Sequence, residues 1–304
     1  MTKTLKLGLT VFPDLKLSVK ATLTEADAGQ PVAFYANVSG GAPPVNVAWY
    51  VNGTLASLGQ SLTYAFPSPG TYVVTTVATD SLGVKSSHQV KVLVVPPLAL
   101  KPTLSVQGKS LANAPKALVI DEGVPVTISV ATNGGVPPIT VAWYLNGSLV
   151  GHGDSLEVPH LKPGTHEVAV KAQDRAGYSV SDVFTLVVVP PPKVYVRVLN
   201  ASGSAFVYNT TATLIPGVSG GVNATVFVYQ NGQLVGRFSP GQPVTLNLAM
   251  GDNVVKIVAI DQYGLNSTYV LTITSGYTPT FYGVVGGAAV AVLIIALALL
   301  KRRK

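Results

Sequence analysis

The chain has 304 residues, no cysteine and a formal net charge of +7, yet only 11 % of its residues are charged, well below the ~25 % usual for soluble domains. Lys301, Arg302, Arg303 and Lys304 supply +4 of that charge, which leaves 16 − 13 = +3 over the other 300 residues, too weak and too scattered for the basic face of a nucleic-acid-binding protein. Without thiols there are no disulfides and no thiolate metal sites, so each domain has to be held by its own apolar core.

Residues 1–13 place Lys3 and Lys6 ahead of Leu7-Gly8-Leu9-Thr10-Val11-Phe12. A secretory signal needs an apolar region of roughly 7–15 residues and a small-residue cleavage site, and Pro13-Asp14 follows instead. The segment reads as a truncated or mis-assigned start, or as an edge strand. Beyond it Val, Thr and Tyr are frequent, Gly and Pro recur about every 8–12 residues, and no stretch before residue 280 spaces its apolar residues as a helix would. The expected fold is all-β: three tandem β-sandwich domains followed by one C-terminal transmembrane α-helix.

The first domain is expected over 14–95, with strands at 32–38, 47–51, 71–79 and 87–94, and a proline linker over 96–101. The second runs over 102–189 and stops at Pro190-Pro191-Pro192 (190–192), a short semi-rigid spacer. Gly134 to Gly147 in this domain is a near copy of Gly40 to Gly53. Trp143 follows Trp49 by 143 − 49 = 94 residues, and the same offset relates Gly135 to Gly41, Gly164 to Gly70, Asp174 to Asp80 and Gly177 to Gly83. The copies therefore read as free of insertions and deletions, and a period this long is a whole domain. Within each copy Pro-Pro precedes a strand, since proline cannot donate to a sheet. Val141, Trp143 and Leu145 alternate with Ala142 and Tyr144, which puts the Trp face on a core. Asn146-Gly147 closes a type I′ hairpin, which needs positive φ at both residues.

The third domain, 193–275, keeps the plan with drift: Gly220-Gly221, then Phe227-Val228-Tyr229-Gln230-Asn231-Gly232, then Gly251 and Asp261 to Gly264. Val228 stands where the other copies have Trp, which predicts a differently packed, thinner core. Pro69-Gly70, Pro163-Gly164 and Met250-Gly251 each precede a long alternating strand. Asp80 to Gly83, Asp174 to Gly177 and Asp261 to Gly264 then close the next hairpin, with Asp capping the turn and Gly in the left-handed position. On this reading the three aspartates are structural.

Pro69 to Gly83, reading Pro-Gly-Thr-Tyr-Val-Val-Thr-Thr-Val-Ala-Thr-Asp-Ser-Leu-Gly, resembles the ending of polycystic-kidney-disease (PKD) type and related immunoglobulin-like (Ig) domains, and the Trp49 and Trp143 strands resemble that family's Trp-bearing strand. The likeness covers Gly40 to Val95, Gly134 to Val189 and, more faintly, Gly220 to Thr274. Here Trp is followed by Tyr-Val/Leu-Asn-Gly rather than Asp-Phe-Gly-Asp-Gly, a variant similar to repeats of archaeal membrane-anchored surface proteins, including those beside thermopsin-type proteases and in surface-layer stalk subunits. The resemblance implies spacer or adhesive modules with no catalytic motif, so it transfers no functional residue.

After a stem at 276–280, Phe281 to Leu300 are 20 residues without a charge. As a helix they span ~30 Å, the hydrocarbon thickness of a bilayer. The tail 301–304 marks the cytoplasmic side, with Tyr277 and Tyr282 as interfacial aromatics. The lipid bilayer is thus the expected partner of 281–300, with the N-terminal region outside the cell. Gly283 and Gly287, extended by Ala291, make a G-x-x-x-G face for helix–helix contact. Sequons for N-glycosylation occur at Asn37, Asn52, Asn146, Asn200, Asn209, Asn223 and Asn266, as expected of an exported glycoprotein.

His152, Asp154, His160 and His166 fit no known ligand spacing and read as loop and surface residues. Gly151-His152-Gly153 lacks the third glycine of a dinucleotide loop, and no zincin, nucleophile-elbow, P-loop or EF-hand pattern occurs. No catalytic, cofactor or metal residue is therefore expected. The leading expectation is a non-enzymatic, single-pass surface stalk or adhesion protein, with surface-layer proteins, other surface proteins or glycans as partners. Two alternatives stand beside it: the C-terminal spacer and anchor region of an exported, thermopsin-like hydrolase whose catalytic domain lies upstream and is missing here, and a glycan-binding module using Tyr50 and Tyr144.

Overall fold

The structure is a computed structural model that describes residues 10–199, 206–207 and 210–276. All regular structure among them is β, and among them no helix is long and apolar enough to cross a membrane. The expected span 281–300, Tyr277, Tyr282, the basic tail, the Gly283/Gly287/Ala291 face and the sequon residues Asn200 and Asn209 lie outside the described residues.

The sheets come in three pairs: three- and five-stranded, four- and five-stranded, three- and five-stranded. Each pair has the antiparallel make-up of a sandwich, with one short parallel strand opening the larger sheet of the first and third. The chain divides into two compact units. The described part of the first comprises 10–116, 126–157 and 167–184; that of the second comprises 117–125, 158–166 and 185–276.

In the first unit, the opening sandwich sets Lys16–Ala21, Pro31–Ser39 and Ser61–Ala65 against a sheet ordered Glu25–Asp27, Lys85–Val95, Gly70–Thr79, Asn46–Val51, Thr54–Leu58. The alternation of Asn46–Val51 turns Val47, Trp49 and Val51 inward. Trp49 lies against Phe34 with ring centroids 6.1 Å apart, within a core that includes Phe66, Val74 and Val92. Its indole N–H donates to Gly59 O at 2.8 Å, so the largest core side chain buries no unpaired donor. The second repeat reproduces this, with Trp143 buried and its N–H on Gly153 O at 2.8 Å.

The register corrects the reading that the copies lack insertions. Phe34 faces Ala21, and its counterpart Ile128 faces Leu104. The offset is therefore 104 − 21 = 83 before the turn into the larger sheet, against 94 after it. The eleven extra residues form the added strand Lys109–Leu111 and its surroundings. The strand Ala99–Val106 also begins inside the expected linker 96–101.

In the second unit, Ala117–Asp121 runs parallel to 185–189. The last sandwich sets Lys193–Leu199, Thr211–Ser219 and Val244–Asn247 against Phe206–Val207, Asn266–Ser275, Gly251–Ile260, Thr225–Gln230 and Gln233–Phe238. Val228 occupies the Trp position: it is fully buried, and the strand bulges just after it as the others do after Trp49 and Trp143. The core is packed differently, as expected. Gly236 lies opposite Val228, and the Phe238 ring covers it so closely that a Cβ there would come within 2.9 Å of the ring. Phe238 packs on a core of Leu214, Leu246, Ile257 and Ile273, so an aromatic from the neighbouring strand partly replaces the absent indole.

Candidate functional site

Three kinds of residue recur at the same place in every repeat, and together they build the ends of the repeats. The first are the hairpin turns. Asn52-Gly53, Asn146-Gly147 and Asn231-Gly232 all have positive φ, as a type I′ turn requires. Each Asn also accepts, through Oδ1, the N–H of Val73, Glu167 or Val254 on the next long strand, at 2.8–2.9 Å.

The second are the turn aspartates, which are structural as the sequence indicated. Asp80 accepts the N–H groups of Leu82 and Val84 at 3.0 and 2.9 Å. Its other oxygen takes the N–H of Ala42 at 3.0 Å. That bond, with those from the turn, holds the Asp80 carboxyl below the usual carboxylate range. Asp174 repeats the arrangement with Tyr178 and Val136, both at 2.8 Å. Asp261 keeps only the turn bonds, to Tyr263 and Leu265 at 2.9 Å. The N–H equivalent to Ala42 and Val136, that of Val222, goes instead to Asp121 at 3.3 Å.

The third are the double glycines, which seat the chain that enters each repeat. The N–H of Gly41, Gly135 and Gly221 donates to the carbonyls of Pro13, Pro96 and Pro190 at 2.8, 2.8 and 2.9 Å. The preceding glycines, Gly40, Gly134 and Gly220, have φ of 69–71° and meet backbone oxygen where a Cβ would be, at 2.1, 2.3 and 2.4 Å. Only glycine fits there, for both reasons.

Two aspartates that the sequence reading passed over complete these ends. Asp27 and Asp121, related by 121 − 27 = 94, are both fully buried. Asp27 accepts the Leu98 N–H at 2.9 Å and hydrogen-bonds Asp174 of the next repeat. Asp121 pairs in the same way with Asp261. Burial, reinforced by the partner carboxyl, pushes both Asp27 and Asp121 up to about 6. Burial acts on Asp174 too, but the bonds it accepts from Asp27, Val136 and Tyr178 outweigh it and hold its carboxyl below the usual range. Around the first pair Gln30 donates to Ala176 O at 2.8 Å, and Arg175 pairs with Glu25. Around the second, the Tyr263 hydroxyl donates to Val119 O at 2.7 Å. The signal that could have found Asp27 and Asp121 is the 94-residue offset that relates them.

The sequon residues Asn37, Asn52, Asn146, Asn223 and Asn266 are all exposed, and Asn223 donates to Gln262 at 2.7 Å. Tyr50 and Tyr144 are half-buried; Tyr50 sits between Leu55 and Thr75 on the neighbouring strands, in ordinary cross-strand packing. His152, Asp154 and His160 are exposed, and half-buried His166 contacts Lys162 O at 2.8 Å. Among the described residues no group of three or more His, Cys, Asp or Glu side chains is placed to hold a metal ion.

Residues 16–94 match the PKD domain family. The strand register sets the same pattern on 99–188, where Ala99–Leu104 takes the place of Lys16–Ala21. Among solved structures, the chain is similar to an I-band fragment of titin, at 16 % identity and a TM-score of 0.45, over 86 % of this chain and 98 % of that one. It is also similar to the fibronectin(III)-like modules of CbhA from Clostridium thermocellum, at 21 % and 0.34, over 57 % and 94 %. A third similarity is to extracellular domains 3–5 of Drosophila OTK, at 11 % and 0.36, over 85 % and 97 %. No curated protein matches the chain.

Proposed function

We propose that this chain is a non-enzymatic, membrane-anchored cell-surface protein that carries its PKD- and Ig-like repeats outside the cell as a stalk or adhesive module, a surface layer being one load it would support. The observation that carries this reading is the use made of the recurring acidic residues. Asp80, Asp174 and Asp261 tie their own turns, and Asp27 and Asp121 tie one repeat to the next. Repeated chemistry in this protein serves spacing. The PKD family match agrees, because such domains are typically non-catalytic. The anchor rests on the uncharged segment 281–300 and the Lys-Arg-Arg-Lys that follows it, and the outward orientation on that basic end and on five exposed sequons.

The test is topological. Cells making the full chain with a C-terminal epitope are fractionated, then treated intact with an external protease. The expected result is a chain that stays with the membrane through carbonate washing and loses its repeats to protease while the epitope survives. A chain recovered in the soluble fraction, or repeats protected in intact cells, would refute the proposal.

A further inference from the structure

The carboxyl pairs Asp27–Asp174 and Asp121–Asp261 carry a consequence that does not depend on the surface-stalk reading. Both members of each pair are at least nine-tenths buried. Asp27 Oδ2, Asp121 Oδ1 and Asp261 Oδ2 are buried with no N–H or O–H to accept. An ionised carboxylate oxygen in that position would be desolvated and unpaired, beside a second negative charge. A proton shared between the two carboxyls removes both costs at once, because the protonated member donates a charge-assisted bond to the other.

The charged neighbours leave the pairs to their own devices. At the first, Arg175 and Glu25 satisfy one another. At the second, Glu122 is paired with Lys162, and Tyr263 is a neutral phenol whose ionisation burial pushes further up. Among the described residues no ion pair brings a cation to either pair of carboxyls. The other groups on these carboxylates are backbone N–H donors, from Leu98, Val136 and Tyr178 at one and Val222, Tyr263 and Leu265 at the other. Calcium or magnesium would need carbonyl and carboxylate oxygens in those directions. The surroundings suit a carboxylate or a shared proton, not a metal.

We propose that Asp27–Asp174 and Asp121–Asp261 are proton-sharing latches that hold successive repeats together in acid and release them as the pH rises. The pairs belong to equivalent places in the repeats, so the device occurs twice, once within each compact unit. The direction follows from linkage. Asp27 and Asp121 titrate near 6 when the latch is closed and near the ordinary 3.8 once exposed. The closed form therefore binds the extra proton, and closure strengthens as the pH falls from about 6 to about 4. Further down, Asp174, held below the usual range, is protonated in turn and its charge-assisted bond weakens.

The amide protons of Leu98 and Val222, which donate to Asp27 and Asp121, report the latches directly. Hydrogen exchange of the full chain, corrected for the intrinsic pH dependence of exchange, is measured from pH 4 to pH 7.5. The ratio implied by about 6 against 3.8 is about 100-fold, so protection of both amides should fall by up to that factor as the pH rises from about 4 to about 6 and level off above it. In Asp27→Asn the side-chain amide supplies a permanent donor, and Leu98 protection should become flat across that range while Val222 keeps its titration. Wild-type protection that does not change with pH would overturn the proposal whether or not the variant folds. So would a Leu98 response that survives Asp27→Asn, or protection at pH 7.5 restored by millimolar calcium.

Discussion

Gly134 allows the cost of seating the entering chain to be separated from the cost of a left-handed backbone. Gly134 and Gly147 have φ of 71° and 79°, so alanine at either carries a backbone penalty of about 1–2 kcal/mol. At Gly147 the new methyl meets nothing within 4 Å. At Gly134 it would lie 2.3 Å from Pro97 O and 2.6 Å from Pro96 O, closer than Cβ atoms approach backbone. Relief requires the Pro96-Pro97 segment to move, which breaks the 2.8 Å bond from Gly135 N–H to Pro96 O. Overpacking of this kind costs about 1–3 kcal/mol, and the lost buried bond about 1 kcal/mol more. Gly134→Ala should therefore destabilise the chain by about 2–4 kcal/mol more than Gly147→Ala, read as the difference in urea midpoints at an unchanged slope. Equal losses at the two positions would show that the double glycine serves only its own turn.

Three further outcomes follow from the same geometry. Trp143→Val should cost about 3 kcal/mol or more in urea unfolding, since it opens a cavity and leaves Gly153 O without its donor; the valine at 228 is tolerated beside Phe238, whereas Trp143 faces Gly151 and position 142 faces exposed His152. Asp80, held below the usual carboxylate range, contributes stability that is complete above about pH 4 and is lost as the pH falls through its lowered value. Asp80→Asn should accordingly flatten the acid limb of a thermal-melt series below pH 4 relative to wild type. Asn231→Ala should cost about 1–2 kcal/mol, because it forfeits the bond to Val254 N–H at 2.8 Å and puts a Cβ-bearing residue without a polar side chain at φ 49°, while leaving the Phe238 packing intact in near-ultraviolet spectra.

The all-β fold was legible because local rules and burial agree: the strand Asn46–Val51 alternates, the Asn-Gly turns have the φ values their type demands, and the Asp to Gly tetrads close as drawn. The upstream eleven-residue insertion was not, because the offset was measured between landmarks that all lie beyond it. A constant spacing from Gly41 to Gly83 carries no information about the chain before Asp27. Val228 could be recognised as a substituted Trp, but its compensation by Phe238 depends on cross-strand register, which periodicity alone does not supply. The carboxyl pairs were hidden for a deeper reason. Asp174 is a capping residue on its own evidence, and its second role appears only when Asp27, 147 residues away in sequence, is brought to it by the packing of another repeat.

Pro96 and Pro190 look like the punctuation that ends a domain, but their carbonyls are bound by Gly135 and Gly221 of the repeat that follows. The seam at which a repeat could be moved into another protein therefore lies upstream of the prolines. A graft begun after Pro97 would arrive with an empty acceptor position beneath its double glycine, and one begun at Pro96 would bring its own doorstep with it.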